Sequence, residues 1–313
     1  MGRMAVVAIG GNSLIKDDAD PSVAAEIEAL TETAAHLGAL VAQGWDVVIT
    51  HGNGPQVGFN LLRSEMAARV APVLPLDVLG AQTQGSLGYM IQQVLGNELR
   101  RRNMDRPVVS VVTQVVVDAT DPAFDAPSKP IGHFYRQAEA EWHTRNRGWT
   151  LRADAGRGWR RVAASPRPLE ILEHEAIRAL VRAGFVVVAA GGGGIPVVRD
   201  ARGHLRGVEA VIDKDLASSL LARRIGADLL LFSTAVERVA LWYGTPRQRD
   251  LEEMRAAEGR RYLAEGHFPP GSMGPKIEGA LDFVESTGGE TIITAPEHIE
   301  RALRGETGTR IRA

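Results

Sequence analysis

Short apolar runs that stop at glycines set the rhythm of this chain. Met4 to Ile9 is apolar throughout and breaks at Gly10-Gly11-Asn12. It reads as a buried strand ending in a tight loop. Ser22 to Gln43 is rich in Ala, Leu and Glu, with Gly44 just beyond, the pattern of a helix and its stop signal. Trp45 to Thr50 is the next strand, ending in HGNGPQVG at 51–58. Helix signals resume to about Arg69, and Pro72 and Pro75 break them. Gly80 to Arg102 reads as a long helix, and Val108 to Val117 is strongly β-branched. Strands that are apolar throughout, alternating with helices, predict a parallel α/β sheet covered on both faces.

Residues 118–162 break the rhythm: prolines and charges intervene, and Trp142, Trp149 and Trp159 fall here. A structureless loop of that length is unusual in a compact domain, so the stretch predicts a small mobile subdomain able to close over a site. The rhythm then returns. Leu169 to Arg182 reads as a helix, Phe185 to Ala190 as a strand, and Gly191 to Gly194 as a third glycine loop. A helix from Asp213-Lys214-Asp215 runs to about Ile225, followed by a strand over Leu229–Ser233. Val236–Leu241 reads as a further strand, Glu252–Ala264 and Pro275–Glu285 as helices, Thr291–Thr294 as a late strand, and Glu297 as the start of a short helix. A boundary is expected near residue 205.

Composition narrows the function. The 313 residues contain no cysteine, which removes disulfides, thiolate metal sites and cysteine nucleophiles. Lys plus Arg number 36 against 38 Asp plus Glu, so no basic field marks a nucleic-acid surface. The N-terminus lacks a signal-peptide pattern and no run is long enough to span a membrane. These features give the expectation of a cytoplasmic protein.

Three glycine loops follow apolar strands, and amides exposed at such turns favour anions. None has the spacing of a Walker A loop or a dinucleotide fingerprint. HExxH and GxSxG are absent as well. Lysine is the second signal. Only Lys16, Lys129, Lys214 and Lys276 occur, against 32 arginines. Three of these sit in unusual contexts: PSKPIG, VIDKDL and GSMGPKIEG. A compact ammonium suits phosphoryl oxygens, and phosphoryl transfer needs positive charge where those oxygens gather density. Asp213 and Asp215 flank Lys214; either could orient it, hold Mg²⁺ or, for Asp213, cap the helix. His51 either faces a ligand or braces its turn.

Longer stretches sharpen this reading. AIGGNSL at 8–14, THGNGPQVG at 50–58, PLDVLGAQTQGSLGYMIQQ at 75–93, TQVVVDATDPAF at 113–124, SKPIGHFY at 128–135, RRVAASPRP at 160–168, AAGGGGIPVV at 189–198, GVEAVIDKDLAS at 207–218 and EGHFPPGSMGPKIEGA at 265–280 together resemble carbamate kinases of the amino acid kinase superfamily. The resemblance runs from end to end. It implies a three-layer αβα sandwich around a mainly parallel sheet, with a small protruding subdomain. It implies a carbamate- or carbamoyl-phosphate-binding part at 1–206, with 118–162 as the mobile flap, and a nucleotide-binding part at 207–313. It also implies reversible phosphoryl transfer between carbamoyl phosphate and ADP, giving carbamate and ATP, with Mg²⁺, in a homodimer without nucleic-acid or membrane partners.

Carried onto this chain, the resemblance makes Lys129, Lys214, Asp215 and Lys276 catalytic. Gly10, Gly11, Asn12, Gly52, Asn53 and Gly54 would hold the carbamoyl and phosphoryl groups. Thr234, Val236, Tyr243, Phe268, Gly271 and Met273 would form the nucleotide site, and no protein metal ligand is assigned. The chain departs from the family's usual TDV at Thr234-Ala235-Val236, where the acid is replaced by alanine. Ser13 and Thr83 are smaller departures. A divergent paralogue acting on a related carboxylate or carbamate, or a nucleotide-binding sensor without turnover, remains open at this point.

Overall fold

The structure, a computed structural model, describes residues 2–10, 14, 22–154 and 158–313. Gly11 and Asn12 lie outside the described residues. Among those described, eight strands form the central sheet. Their spatial order is Glu253–Arg255, Thr309–Arg312, Glu290–Thr294, Leu229–Ser233, Met4–Ile9, Asp46–His51, Val186–Val188 and Val108–Ser110. All six residues of Met4–Ile9 are buried, which places this strand mid-sheet, parallel to Asp46–His51 and Leu229–Ser233. Burying a Val or Ile contributes roughly 1.5–3 kcal/mol, so an apolar run of this kind belongs between neighbours.

The strand's two faces feed two cores. Val6 and Ala8 pack with Leu220, Leu221, Ile277 and Leu281, from helices Lys214–Ile225 and Met273–Thr287. Ala5, Val7 and Ile9 pack with Leu30, Leu37, Leu87 and Ile91, from helices Val23–Ala42 and Leu76–Arg101. The result is the three-layer αβα sandwich expected, parallel except where Thr309–Arg312 runs antiparallel to Glu290–Thr294.

Several predicted elements are corrected by long-range pairing. The β-branched run divides into Val108–Ser110, in the central sheet, and Gln114–Val117, in a second sheet with Leu205–Gly207, Ile195–Arg199 and Pro168–Ile171. The break falls at Thr113, whose N–H donates to Gln84 Oε1 at 2.8 Å and whose hydroxyl donates to Val111 O at 2.8 Å. The predicted helix at Leu169 begins only at His174, because Pro168–Ile171 pairs antiparallel with Gln114–Val117. The predicted helix at Glu252 starts at Ala256, because Glu253–Arg255 extends the central sheet beside Thr309–Arg312. The long helix starts earlier than expected, at Leu76, directly after Pro75.

Residues 118–162 do carry their own structure. Strands Lys129–Tyr135, Gly158–Ala163 and Leu151–Asp154 form an antiparallel sheet in that order, with helix Gln137–Arg147 between the first and last in sequence. The His143 and Trp149 rings stack inside it, 4.3 Å apart. The subdomain docks on helix Gly54–Met66, where Gly58 meets Gly132 so closely that a Cβ at Gly58 would lie 3.0 Å from Gly132 Cα.

Candidate active site

Helix Lys214–Ile225 begins at the C-terminal edge of the central sheet, the edge where open α/β sheets bind ligands. Asp213 caps it, accepting from the Asp215 amide at 2.9 Å. Lys214 is its first residue. A cation there opposes the helix dipole, so helix stability does not account for it. Lys214 Nζ donates to Asp215 Oδ1 at 2.5 Å, and Lys276 Nζ, from helix Met273–Thr287, donates to Asp215 Oδ2 at 3.0 Å. Two lysines 62 positions apart in sequence thus share one carboxylate. Lys129 Nζ, from the flap, reaches Asp213 Oδ2 at 2.6 Å. The structure therefore brings all three predicted lysines to one helix start.

The electrostatics follow from burial. Asp215 is only 4% exposed. Burial alone pushes its carboxyl up, and the Lys214 and Lys276 ammoniums reverse this and hold it below the ordinary range. Burial pushes Lys214 down, against the opposing pull of the Asp215 carboxylate. A desolvated ammonium held by a single acid interacts strongly with any further anion brought beside it.

The glycine loops meet this cluster unevenly. Gly52 packs on the Lys214 stem, where a Cβ would lie 3.5 Å from Cε. Its amide, however, donates to Ile9 O at 3.2 Å. Gly54 opens helix Gly54–Met66, whose cap Asn53 makes no side-chain capping bond, so first-turn amides there lack that partner. The Asn53 side chain instead donates to Thr83 Oγ1 at 2.8 Å, which gives the unusual Thr83 a bracing role. Gly10 lies against the neighbouring strand end; a Cβ there would meet Ser233 O at 2.9 Å.

The third loop is not the anion cradle its sequence suggests. Gly191 to Gly194 is fully buried and leads into a strand rather than a helix. A Cβ at Gly191 would strike His51 Nε2, at Gly192 the Asn53 amide, and at Gly193 the Ile212 carbonyl. Gly192 to Gly194 all adopt positive φ. The loop is a wedge that fixes the HGNG loop against the residues preceding Asp213. Gln84 completes it, donating to the Thr113 and Gly191 carbonyls at 3.2 and 3.0 Å. Sequence reasoning passed over Gln84, though an amide on the buried face of a helix was a visible signal.

His51 is a brace as well. It is 1% exposed, and its Nδ1–H donates to Gly52 O at 2.8 Å. Burial pushes its pKa down from 6.5 to about 4, so the folded protein holds it neutral. The unfolded chain binds that proton more readily between about 4 and 6.5, so stability falls on acidification through this window. The expected loss is about 3 kcal/mol. Denaturation curves should show the wild type losing this stability between pH 6.5 and 4 relative to His51→Gln; parallel curves would contradict it.

The predicted nucleotide residues lie on three segments, with Tyr243 alone on the turn after strand Val239–Leu241. Thr234 and Val236 follow strand Leu229–Ser233, and the Thr234 amide donates to Thr294 O at 2.9 Å. Phe268, Gly271 and Met273 lead into the helix that carries Lys276. Gly271 is exposed and Tyr243 is 63% exposed, whereas the Phe268 ring belongs to the core and Met273 packs against it.

The amino acid kinase family model matches residues 3–295. This chain belongs to the amino acid kinase family. The carbamate kinase-like protein YahI of Escherichia coli is 51% identical to it, over 99% of both chains. The carbamate kinase of Pyrococcus furiosus is 46% identical, again over 99% of both. Carbamate kinase from Giardia lamblia bound to AMP-PNP superposes on this amino acid kinase with a TM-score of 0.93 at 42% identity, covering 99% of this chain and 98% of that one.

Proposed function

We propose that this amino acid kinase is a carbamate kinase, transferring a phosphoryl group reversibly between carbamoyl phosphate and ADP to give carbamate and ATP. The observation that carries the reading is the pair Lys214 and Lys276 on Asp215, with Lys129 arriving from the flap. High identity over full length to a chain named carbamate kinase supports it. An ADP β-phosphate oxygen attacks phosphorus in line, and the bond from phosphorus to the carbamoyl oxygen breaks. Carbamate leaves with the electron pair. No enzyme nucleophile is needed, so the protein's task is alignment, charge and exclusion of water. In this reading Lys214 and Lys276 neutralise the moving phosphoryl, Asp215 orients both, and Lys129 closes the site with the flap.

ATP and ADP are the nucleotide substrates of this reading, and Mg²⁺ accompanies them. Both Asp215 oxygens are taken by lysines, and Asp213 is taken by Lys129 and the Asp215 amide. Among the described residues no cluster of three metal-ligating acids or histidines occurs. This donor set suits a cation carried chiefly by the phosphates, which screens their charge. The same reading assigns the carbamoyl end to 1–206, with the flap at 118–162, and the nucleotide to 207–313, in a cytoplasmic homodimer. Among the described residues, no helix is long and apolar enough to cross a membrane.

One observation favours a divergent specificity. Ala235 stands where the resemblance expects an acid, and it lines a cavity of about 330 Å³ with Glu32, His36 and Glu297. A coupled assay decides between the readings. Purified protein given carbamoyl phosphate, ADP and Mg²⁺ should form ATP with saturation in both substrates; nucleotide binding without ATP formation would sink the kinase reading.

A further inference from the structure

Lys129 comes from a subdomain, so its position depends on how that subdomain is held. Arg161 stands at the centre of the hold. It lies on strand Gly158–Ala163, in register with Ile131, two residues beyond Lys129. Its Nη2 donates to Glu209 Oε2 at 3.3 Å, and its Nη1 lies 4.0 Å from Glu65 Oε1. Glu65 sits at the end of helix Gly54–Met66 and also accepts from the Tyr135 hydroxyl at 3.4 Å. The other Glu209 oxygen accepts from the Leu76 amide at 2.9 Å, the first residue of helix Leu76–Arg101. One guanidinium thus joins the flap to the ends of two body helices. It also lies over the Trp149 ring, 4.6 Å from the centroid. Its side chain is 16% exposed and that of Glu65 is 7% exposed, so little water is available to replace Glu65, whereas Glu209 is half exposed.

A second observation concerns residues 209–213. Glu209 receives Arg161, the Val211 amide donates to Ala164 O at 2.9 Å, and Asp213 receives Lys129. Ala164 also bridges Ala210. Contacts from strand Lys129–Tyr135, from strand Gly158–Ala163 and from Ala164 just after it therefore fall on the five residues that lead into Lys214. A flap released at Arg161 keeps two polar ties along this segment, the Val211 amide to Ala164 O and Lys129 to Asp213, and of these only the second holds the lysine itself.

We propose that Arg161 is a positioning residue for Lys129: through Glu65 and Glu209 it holds the flap closed over the phosphoryl site. Arg161 touches neither Lys214 nor Lys276 through any hydrogen bond or ion pair among the described residues, and acts through the flap. The fork matters, because a guanidinium reaches carboxylates on two elements whereas an ammonium is a single point of charge. The inference rests on the carbamate kinase reading for its kinetic part alone.

The test compares Arg161→Ala, Arg161→Lys and Glu209→Gln by steady-state ATP formation and by amide hydrogen exchange of the flap strands. Arg161→Ala should raise KM for carbamoyl phosphate about tenfold or more and leave KM for ADP within about twofold. Exchange in Lys129–Tyr135 and Gly158–Ala163 should quicken about tenfold. Arg161→Lys should recover part of both effects. Glu209→Gln should shift both in the same direction but less, and it carries the test if Arg161→Ala does not fold. Carbamoyl phosphate KM within about twofold of wild type, with flap exchange unchanged in the folded variants, overturns the proposal. Exchange needs no turnover. Faster flap exchange in a chain that never forms ATP supports the hold and contradicts the kinase reading, and unchanged exchange in an active enzyme does the reverse.

Discussion

Lys214→Ala is expected to lower the turnover of ATP formation by about three orders of magnitude. Affinity for ADP should change by less than about threefold. The difference arises from where the charge acts. Lys214 sits at a helix N-terminus, against the dipole, with its stem packed on Gly52 and its ammonium on Asp215. A ground-state nucleotide is held over many atoms, whereas in the proposed reaction the phosphoryl in flight would carry its charge on three oxygens beside this group. Steady-state kinetics and calorimetric titration with ADP check the two halves separately. Equal losses in turnover and affinity would refute the transition-state role.

Asp215→Asn is expected to damage stability and turnover together. The buried carboxylate is the common partner of two ammoniums whose side chains are 14% and 11% exposed. Its amide replacement leaves Lys214 and Lys276 facing each other in a largely desolvated site, and breaking a buried pair this way costs about 3–5 kcal/mol. The pH dependence has a definite sign. A folded pKa below the ordinary 3.8 means the stability Asp215 contributes is complete above that value and is lost as pH falls through its depressed folded value. The gap between wild type and variant should therefore be full at neutral pH and close in strong acid. Chemical denaturation across pH measures it, and a variant as stable as wild type at pH 7 contradicts the account.

Local chemistry explains which parts were legible in the sequence. Strand Met4–Ile9 and the helix start at Asp213 announce themselves through an unbroken apolar run and a capping acid. Three of the four lysines in an arginine-rich chain, Lys129, Lys214 and Lys276, point to the cluster before any fold is known. What stayed hidden depends on pairing across distance. Leu169 carries a helical composition, yet the partner strand at Gln114–Val117 claims it. Gly191 to Gly194 looks like a phosphate loop, yet His51 and Asn53 press on it and turn it into packing. Arg161 and Glu209 are 48 residues apart and read as ordinary surface charges until the flap folds back.

The central claim is that Lys214 and Lys276 act on one phosphoryl group from a shared carboxylate. The most direct measurement is a crystal structure of the protein with ADP, Mg²⁺ and aluminium fluoride, a planar mimic of the group in transfer. The account predicts both ammoniums within hydrogen-bonding distance of the fluorides and Asp215 still bridging them. A mimic bound away from this helix start, or touching neither lysine, would contradict it.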